Sequence, residues 1–163
     1  MESSRWLWIV RHGQAANSSS LPDFERPLTQ RGREDALVVG QNMLSTTGVL
    51  ECVLTSSAPR ALATAILIAG TSADVVEEQT HLYMASTETL LTAVRAIAGD
   101  IRCAAIVGHN PGISDLANLL TRQKEYRLAP LEALCLDVTT PWIDLGSSPL
   151  RVTRFVEPNK AKP

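Results

Sequence analysis

The feature that most constrains the fold is an alternation of short apolar runs with segments of helical periodicity. Residues 6–10 and 103–107 are continuous apolar runs, the pattern of a strand buried on both faces. Residues 87–98 instead place apolar side chains three and four positions apart, as on one face of a helix. This alternation predicts an α/β fold with a mainly parallel sheet and helices on both faces. The length of 163 residues suits a single domain over residues 1–163.

The same patterns predict the elements one by one. Strands are expected at residues 6–10, 50–55, 74–77, 103–107, 134–138 and 150–156, and helices at 29–45, 59–69, 87–98 and 111–120. The first helix has Thr29 as its N-cap and buries one face, formed by Ala36, Val39, Gly40, Met43 and Leu44. The polar residues 14–28 are expected to form a loop, and residues 158–163 a frayed tail. Because the last two strands follow no clear helix, one of them is predicted to be antiparallel at an edge.

Composition excludes several classes of function. The net charge of −2 argues against nucleic acid or a membrane surface as the main partner. With three Trp, two Tyr and two Phe, a stacking platform for bases is not expected. The odd, widely spaced set Cys52, Cys103 and Cys135 indicates free thiols in a reducing compartment, and its spacing does not suit a metal site. The short apolar run near the start is neither a signal segment nor a membrane span, so we expect a cytoplasmic protein.

Histidines and arginines follow three of the predicted strands. Arg11-His12-Gly13 ends the first strand, Ser56 to Arg60 follows the second, and Gly108-His109-Asn110 ends a later one. Active sites of open α/β sheets lie beyond the carboxyl ends of the strands. The sequence therefore predicts that these three segments meet in one pocket.

The residue types in this pocket suit phosphate chemistry. Two guanidinium groups can hold phosphoryl oxygens through paired charge-assisted hydrogen bonds, and helix N-termini add backbone donors. A neutral imidazole can attack phosphorus, and a second, cationic histidine would stabilise the charge of the transition state. Each residue alone also has an ordinary structural explanation: a hydrogen-bonded histidine, a surface Arg60, or packing glycines at Gly108 and Gly112. Their joint occurrence at strand ends favours the shared pocket.

Three segments resemble the histidine phosphatase superfamily, which includes the phosphoglycerate mutases. These segments are RHGQA, SSAPRALATA and GHNPG. The resemblance implies a three-layer α/β/α sandwich, His12 as the nucleophile, Arg11 and Arg60 as phosphate ligands, and His109 as the second imidazole. Asn110, which follows His109, is a candidate for substrate binding. No cofactor and no metal are implied.

The segment DFERPLTQRGREDA is similar to a stretch of the SixA-like phosphohistidine phosphatases within that superfamily. By this resemblance Arg26 is a third arginine that faces phosphate. The alternative for Arg26 is a loop arginine paired to a nearby carboxylate.

The sequence also departs from the pattern of the mutases and classical phosphatases. Ala15 stands where their signature has threonine, and residues 81–88 contain no clear counterpart of their mid-chain general acid. Asp23 and Glu88 are the candidate acids, although such carboxylates are more often solvated or cap a helix. His81 lies outside every matching segment and is interpreted as structural or exposed.

We therefore expect a metal-independent phosphatase that forms a phosphohistidine intermediate and releases inorganic phosphate. The predicted substrate is phosphohistidine on a protein, such as a phosphotransfer domain, because its imidazole leaves more readily than an alkoxide. A phosphatase or mutase that acts on small phosphorylated metabolites is the first alternative. A non-catalytic phosphate-binding regulatory module is the second.

Overall fold

The six predicted strands form one mixed sheet in the computed structural model, which describes residues 4–17 and 19–158. The strand order is β3-β2-β4-β1-β5-β6. The bounds are β1 Arg5–Arg11, β2 Cys52–Thr55, β3 Val76–Glu78, β4 Cys103–Gly108, β5 Ala133–Val138 and β6 Arg151–Val156. β1 and β4 are neighbours although nearly a hundred residues separate them in sequence, and this neighbourhood positions the site.

The direction of the strands confirms the mainly parallel sheet with antiparallel pairing at one edge. β1, β2, β3 and β4 run parallel to one another, whereas the edge strand β6 pairs antiparallel with β5. The antiparallel part extends one strand further inward, because β5 also pairs antiparallel with β1. The carboxyl ends of β1, β2 and β4 therefore lie along the same edge, as the sequence predicts.

Four α-helices in the described part of the chain cover the two faces of the sheet. They are α1 Gln30–Thr47, α2 Pro59–Ala69, α3 Thr87–Arg95 and α4 Gly112–Thr121. The Thr29 side chain accepts a hydrogen bond from the Gly32 amide and caps α1, and Ser86 caps α3 in the same way. Pro59 occupies the first turn of α2, where its missing N–H costs nothing. No helix among the described residues is long and apolar enough to cross a membrane.

The strands alternate their side chains between two cores, which gives the three-layer α/β/α sandwich. On one face Leu7, Ile9 and Ile106 pack against α3 and α4; on the other Trp8, Val10 and Val107 pack against α1 and α2. Within the second core α1 and α2 approach closely at Gly40, where a Cβ would lie 2.8 Å from the Ile68 Cα. Cys52, Cys103 and Cys135 are buried free thiols.

Several predicted details differ from the structure. Leu44 was expected on the buried face of α1 but is 54% exposed, because it lies on the flank of the stripe formed by Ala36, Val39, Gly40 and Met43. α3 ends at Arg95 rather than at residue 98, since the Ala96 amide donates to the Ala93 and Val94 carbonyls and tightens the last turn. Of the predicted tail, residues 159–163 lie outside the described part of the chain.

Candidate active site

The ends of three strands build one pocket of about 390 Å³. Arg11 of β1 is the register partner of Gly108 of β4, so the next residues, His12 and His109, lie side by side. Their ring centroids are 5.0 Å apart. Arg60 reaches the same pocket from the first turn of α2. The structure thus brings together the two histidines and the arginines that the strand-end rule selects.

His12 presents one ring nitrogen with an unshared electron pair. Its Nδ1 lies 2.8 Å from the Gly13 carbonyl oxygen, which can only accept, so Nδ1 carries the proton. The Nε2 atom is therefore an acceptor, and it lies 3.4 Å from Arg60 Nε. Burial is the largest cause that lowers the pKa of His12, the Gly13 hydrogen bond opposes it and the neighbouring arginines add to it; together they bring the pKa to about 4. At neutral pH, Nε2 is free of a proton and has the electron pair that a nucleophile needs.

His109 is held through its other ring nitrogen. Its Nε2 lies 2.6 Å from Ser56 Oγ, and its Nδ1 is buried without a hydrogen-bond partner among the described residues. Burial, followed by repulsion from the His12 ring when it is protonated and from Arg60, lowers the pKa of His109 to about 3. This pKa places His109 in its neutral form at neutral pH, whereas the chemistry of phosphate suggested a cationic second histidine that stabilises the transition state.

Arg60 is only 3% exposed and is tied to the loop that follows β1. Its Nη1 donates to the Asp23 carbonyl at 2.6 Å, and its Nη2 lies 2.9 Å from Asp23 Oδ2. The other carboxylate oxygen of Asp23 accepts from Arg26 Nη1 at 3.0 Å, and Tyr83 Oη donates to Oδ2 at 2.5 Å. One carboxylate thus pairs with two arginines.

These hydrogen bonds determine the protonation of Asp23. Those from Tyr83, Arg60 and Arg26 hold the pKa of Asp23 well below its usual range. Asp23 lines the pocket but is ionised at neutral pH, so it is poorly suited to the role of proton donor that the sequence suggested. Arg26 lines the pocket, as expected of an arginine that faces phosphate. It also pairs with the Asp23 carboxylate, as expected of a loop arginine with a nearby acid.

Arg11 and Asn110 enclose the pocket from the side of the loop that precedes β5. Arg11 Nη1 and Asn110 Nδ2 donate to the same Leu128 carbonyl, at 3.1 and 2.8 Å. Asn110 Oδ1 accepts from Ser114 Oγ at 2.5 Å, and the same hydroxyl accepts from the Leu128 amide. Asn110 therefore uses most of its polar capacity to join this loop to α4 while it lines the pocket.

The candidate acid Glu88 and the third histidine, His81, both lie outside the pocket. Glu88 is exposed in the first turn of α3, and it is not among the pocket-lining residues. The expectation that it supplies a proton is therefore not supported by its position. His81 is exposed in a short 3₁₀ helix, in agreement with its interpretation as a structural or surface residue.

Sequence reasoning missed Tyr83, whose ring lies beside the pocket and contacts three of the residues around it. The ring meets His109 edge-on at 5.3 Å and Phe24 at 4.9 Å, and the Arg60 guanidinium lies 5.9 Å from its centroid. Tyr83 follows β3 by a short 3₁₀ turn, so the strand-end rule could have found it. The predicted strand there was short and carried no histidine or arginine at its end, which left the rule without a chemical signal.

Close backbone approach explains the glycines of the motifs. A Cβ at Gly112 would collide with the Ala85 carbonyl oxygen, and one at Gly32 would lie 2.5 Å from the Gln14 oxygen. Gly13 donates its amide to Thr64 Oγ1 at 3.0 Å, which fixes the backbone behind His12. The structural explanation of Gly112 as a packing glycine is thus confirmed, and the packing serves the pocket.

Fold and pocket define a class of protein: an α/β/α sandwich whose strand ends gather two histidines and three arginines around one pocket. The chain belongs to the histidine phosphatase superfamily (branch 1), whose family profile matches residues 7–83. The curated relatives include the uncharacterized protein Rv1276c of Mycobacterium tuberculosis (strain ATCC 25618 / H37Rv), 30% identical over 112 residues, which are 68% of this chain and 69% of the relative. The uncharacterized protein ML1117 of Mycobacterium leprae is 31% identical over 116 residues, 69% of this chain and 71% of that protein.

Solved structures with the same fold include two SixA proteins. A candidate phosphohistidine phosphatase SixA from Nakamurella multipartitia superposes with a TM-score of 0.82 at 23% identity, covering 96% of this chain and 98% of that one. The protein histidine phosphatase SixA in complex with tungstate gives 0.78 at 18% identity, with 94% and 97% covered. A mycobacterial glucosyl-3-phosphoglycerate phosphatase gives 0.67 at 15% identity, with 92% and 97% covered. At these identities the superpositions show the shared fold.

Proposed function

We propose that the protein is a metal-independent phosphatase in which His12 is the nucleophile, and that its substrate is phosphohistidine on a protein. The observation that carries the proposal is the state of His12. Its Nδ1–H is fixed on the Gly13 carbonyl, and Nε2 faces a pocket lined by Arg11, Arg26 and Arg60. A neutral imidazole nitrogen beside three guanidinium groups suits attack on a dianionic phosphoryl group.

The reaction proceeds in two displacements at phosphorus. His12 Nε2 attacks, the P–Nε2 bond forms, and the bond from phosphorus to the substrate nitrogen breaks as that imidazole leaves with a proton from solvent. Water then attacks the phosphohistidine, the P–Nε2 bond breaks, and inorganic phosphate is released. Arg11, Arg26, Arg60 and His109 hold the three equatorial oxygens, where the charge of the transition state is spread.

The state of Asp23 supports a phosphoramidate over a phosphate ester. An alkoxide leaving group needs a proton from a positioned acid, whereas an imidazole leaves without one when it is already protonated. The carboxylate that lines this pocket is held ionised by Arg60, Arg26 and Tyr83, and so it offers no proton at neutral pH. The names of the SixA neighbours, a protein histidine phosphatase and a candidate phosphohistidine phosphatase, agree with this choice.

Trapping of the phosphoenzyme tests the mechanism. Protein incubated with a ³²P-labelled phosphohistidine phosphotransfer domain and quenched in alkali is expected to retain a label that acid removes. The matched variants are His12→Asn and His81→Asn, since His81 is exposed and outside the pocket. We expect His12→Asn to lose the label and all turnover, and His81→Asn to keep both. Labelling and turnover that survive in His12→Asn would refute the mechanism.

A substrate panel tests the choice of substrate. Phosphohistidine proteins, sugar phosphates and phosphoglycerates are compared by kcat/KM for the intact chain. The proposal requires the phosphohistidine protein to exceed the esters by at least about a hundredfold, the order that a missing general acid costs. Faster turnover of an ester would favour the small-molecule alternative, the class of substrate for which the glucosyl-3-phosphoglycerate phosphatase neighbour is named. Tight vanadate binding without any turnover would favour the binding module.

A further inference from the structure

We propose that Ser56 is a positioning residue: its hydroxyl donates to His109 Nε2 and thereby keeps His109 a neutral donor whose Nδ1–H is reserved for a phosphoryl oxygen. The assignment of the proton rests on the geometry alone. Its use in catalysis rests on the proposed function above.

The hydrogen bonds available to Ser56 and His109 favour one tautomer of the histidine. Ser56 is fully buried, and the one bond its hydroxyl makes in the described part of the chain is the 2.6 Å contact with His109 Nε2. If Ser56 donates, its proton and Nε2 are both satisfied, and the unpaired group is Nδ1–H. If Nε2–H donates instead, the Ser56 proton and the Nδ1 electron pair are both left unpaired. Because each buried unpaired polar group costs free energy, the first tautomer is favoured.

The surroundings of His109 also disfavour its doubly protonated form, the imidazolium. A protonated His109 would carry hydrogen on both nitrogens, and the Ser56 proton would again lose its acceptor. Arg11, Arg60 and the His12 ring, 5.0 Å away, surround His109 with groups that disfavour another positive charge. Asp23 is the opposing negative charge, and it is already paired with two arginines. Neutral His109 is thus the form that this environment selects.

The neutral tautomer leaves the Nδ1–H of His109 as a donor for a bound phosphoryl group. His109 Nδ1 has no partner among the described residues, although its residue lines the pocket beside His12. A phosphoryl oxygen is an acceptor that would satisfy it. The arginines then supply the positive charge, and His109 supplies one directed N–H, in the way that a neutral donor of an oxyanion hole does.

The test is the protonation state of His109 in the vanadate-bound protein, read by ¹⁵N NMR of its ring. We expect Nδ1 at a protonated-type shift with its N–H coupling, and Nε2 at an unprotonated-type shift. Protonation of Nε2 alone, or of both nitrogens, would overturn the proposal. The spectrum of the phosphate-free protein is read in the same way, so the tautomer can be tested even if no substrate is turned over.

The variants Ser56→Ala and Ser57→Ala separate this role from simple packing. Ser57 is the adjacent serine, and the serine hydroxyl that contacts His109 Nε2 belongs to Ser56. We expect Ser56→Ala to lose the fixed tautomer in the spectrum and to lower kcat roughly tenfold, the factor of one ordinary hydrogen bond, at nearly constant KM. Ser57→Ala should change neither. An unchanged His109 spectrum together with unchanged kcat in Ser56→Ala would also overturn the proposal.

Discussion

The carboxyl ends of β1 and β4 lie side by side in the sheet, but the chain that follows each strand differs. Both strands deliver a histidine from adjacent register positions, and both histidines are buried. After His109 the chain turns directly into α4, and the Ile113 amide donates to the His109 carbonyl at 2.9 Å. After His12 the chain instead continues through residues 14–28 before α1 begins.

The two histidines are also anchored by opposite nitrogens. A backbone carbonyl fixes Nδ1 of His12, whereas a serine hydroxyl contacts Nε2 of His109. Because the Gly13 carbonyl accepts from Nδ1 of His12, Nε2 of His12 carries the electron pair of the ring. Because Ser56 contacts Nε2 of His109, Nδ1 of His109 remains for a ligand. In the proposed mechanism, neighbouring strand ends of one sheet therefore supply the nucleophile and the N–H donor. Their hydrogen-bond partners, rather than their burial, make the difference.

The largest expected effect comes from replacing each histidine in turn by asparagine. In His109→Asn we expect kcat to fall by about 10²–10³, the cost of one lost transition-state donor, while the alkali-stable label still forms. In His12→Asn we expect no label at all, since the atom that receives the phosphoryl group is gone. Rapid-quench kinetics with labelled substrate measure both steps. A label that persists in His12→Asn but vanishes in His109→Asn would reverse the roles given to the two strand ends.

The glycines that follow the two histidines, Gly13 and Gly112, should differ in how much stability is lost when each is replaced by alanine. A Cβ at Gly112 meets the Ala85 carbonyl, which is backbone, whereas a Cβ at Gly13 lies 3.0 Å from the flexible ends of Leu28 and Leu131. Gly112→Ala is expected to lower the free energy of unfolding by about 1–3 kcal/mol, and Gly13→Ala by less. Urea denaturation followed by circular dichroism measures both.

Gly99→Ala is the matched control for these variants, since nothing lies within 4 Å of a Cβ at that glycine. It should leave the stability unchanged or raise it slightly. If Gly13→Ala proves more destabilising than Gly112→Ala, the turn after β1 is the more rigid of the two strand ends.

The low pKa values of both histidines predict a direction for stability against pH. Their pKa values in the folded protein, about 4 for His12 and about 3 for His109, lie below the ordinary value of 6.5. Between about pH 6.5 and 4 the unfolded chain therefore binds more protons than the folded one, and stability falls as the pH falls through this window. Urea denaturation from pH 7 to 4.5 measures the loss.

The variant His12→Asn should show a shallower loss of stability over the same pH range. An equal slope in His12→Asn and the parent chain would mean that His12 does not titrate below its ordinary range. Direct NMR titration of the His12 ring then decides the matter, and a midpoint at or above 6.5 would contradict the neutral nucleophile.

Much of this site could be predicted because the rule that selects it is topological. Residues that end parallel strands meet at one edge, so His12, Arg60 and His109 followed from apolar runs and the residues after them. Arg26 and Asp23 followed from resemblance, since a loop residue has no periodicity to place it. Neither kind of reasoning shows which ring nitrogen is bonded to which partner.

The protonation states required the three-dimensional structure. A cationic His109 was expected from the chemistry of phosphate, but burial and the nearby positive charges determine the pKa of this histidine. Asp23 was a candidate acid because of its residue type, but its three hydrogen-bond donors come from Arg26, Arg60 and Tyr83, which are distant from one another in sequence. Such contacts depend on side-chain placement, which no local pattern encodes.

The smallest expected effect concerns the loop after β1, which adds to its strand end a carboxylate that the end of β4 lacks. A phosphoryl dianion must compete with Asp23 for Arg60 and Arg26, so Asp23→Asn is expected to bind vanadate roughly two- to fivefold more tightly at low salt. The gain should shrink as ionic strength rises, because the Asp23 side chain is 51% exposed. Isothermal titration calorimetry measures it, with Asp35→Asn as control, since Asp35 pairs with Arg31 on α1 and lies outside the pocket. Weaker binding in Asp23→Asn would show instead that this carboxylate holds Arg60 in its phosphate-binding position.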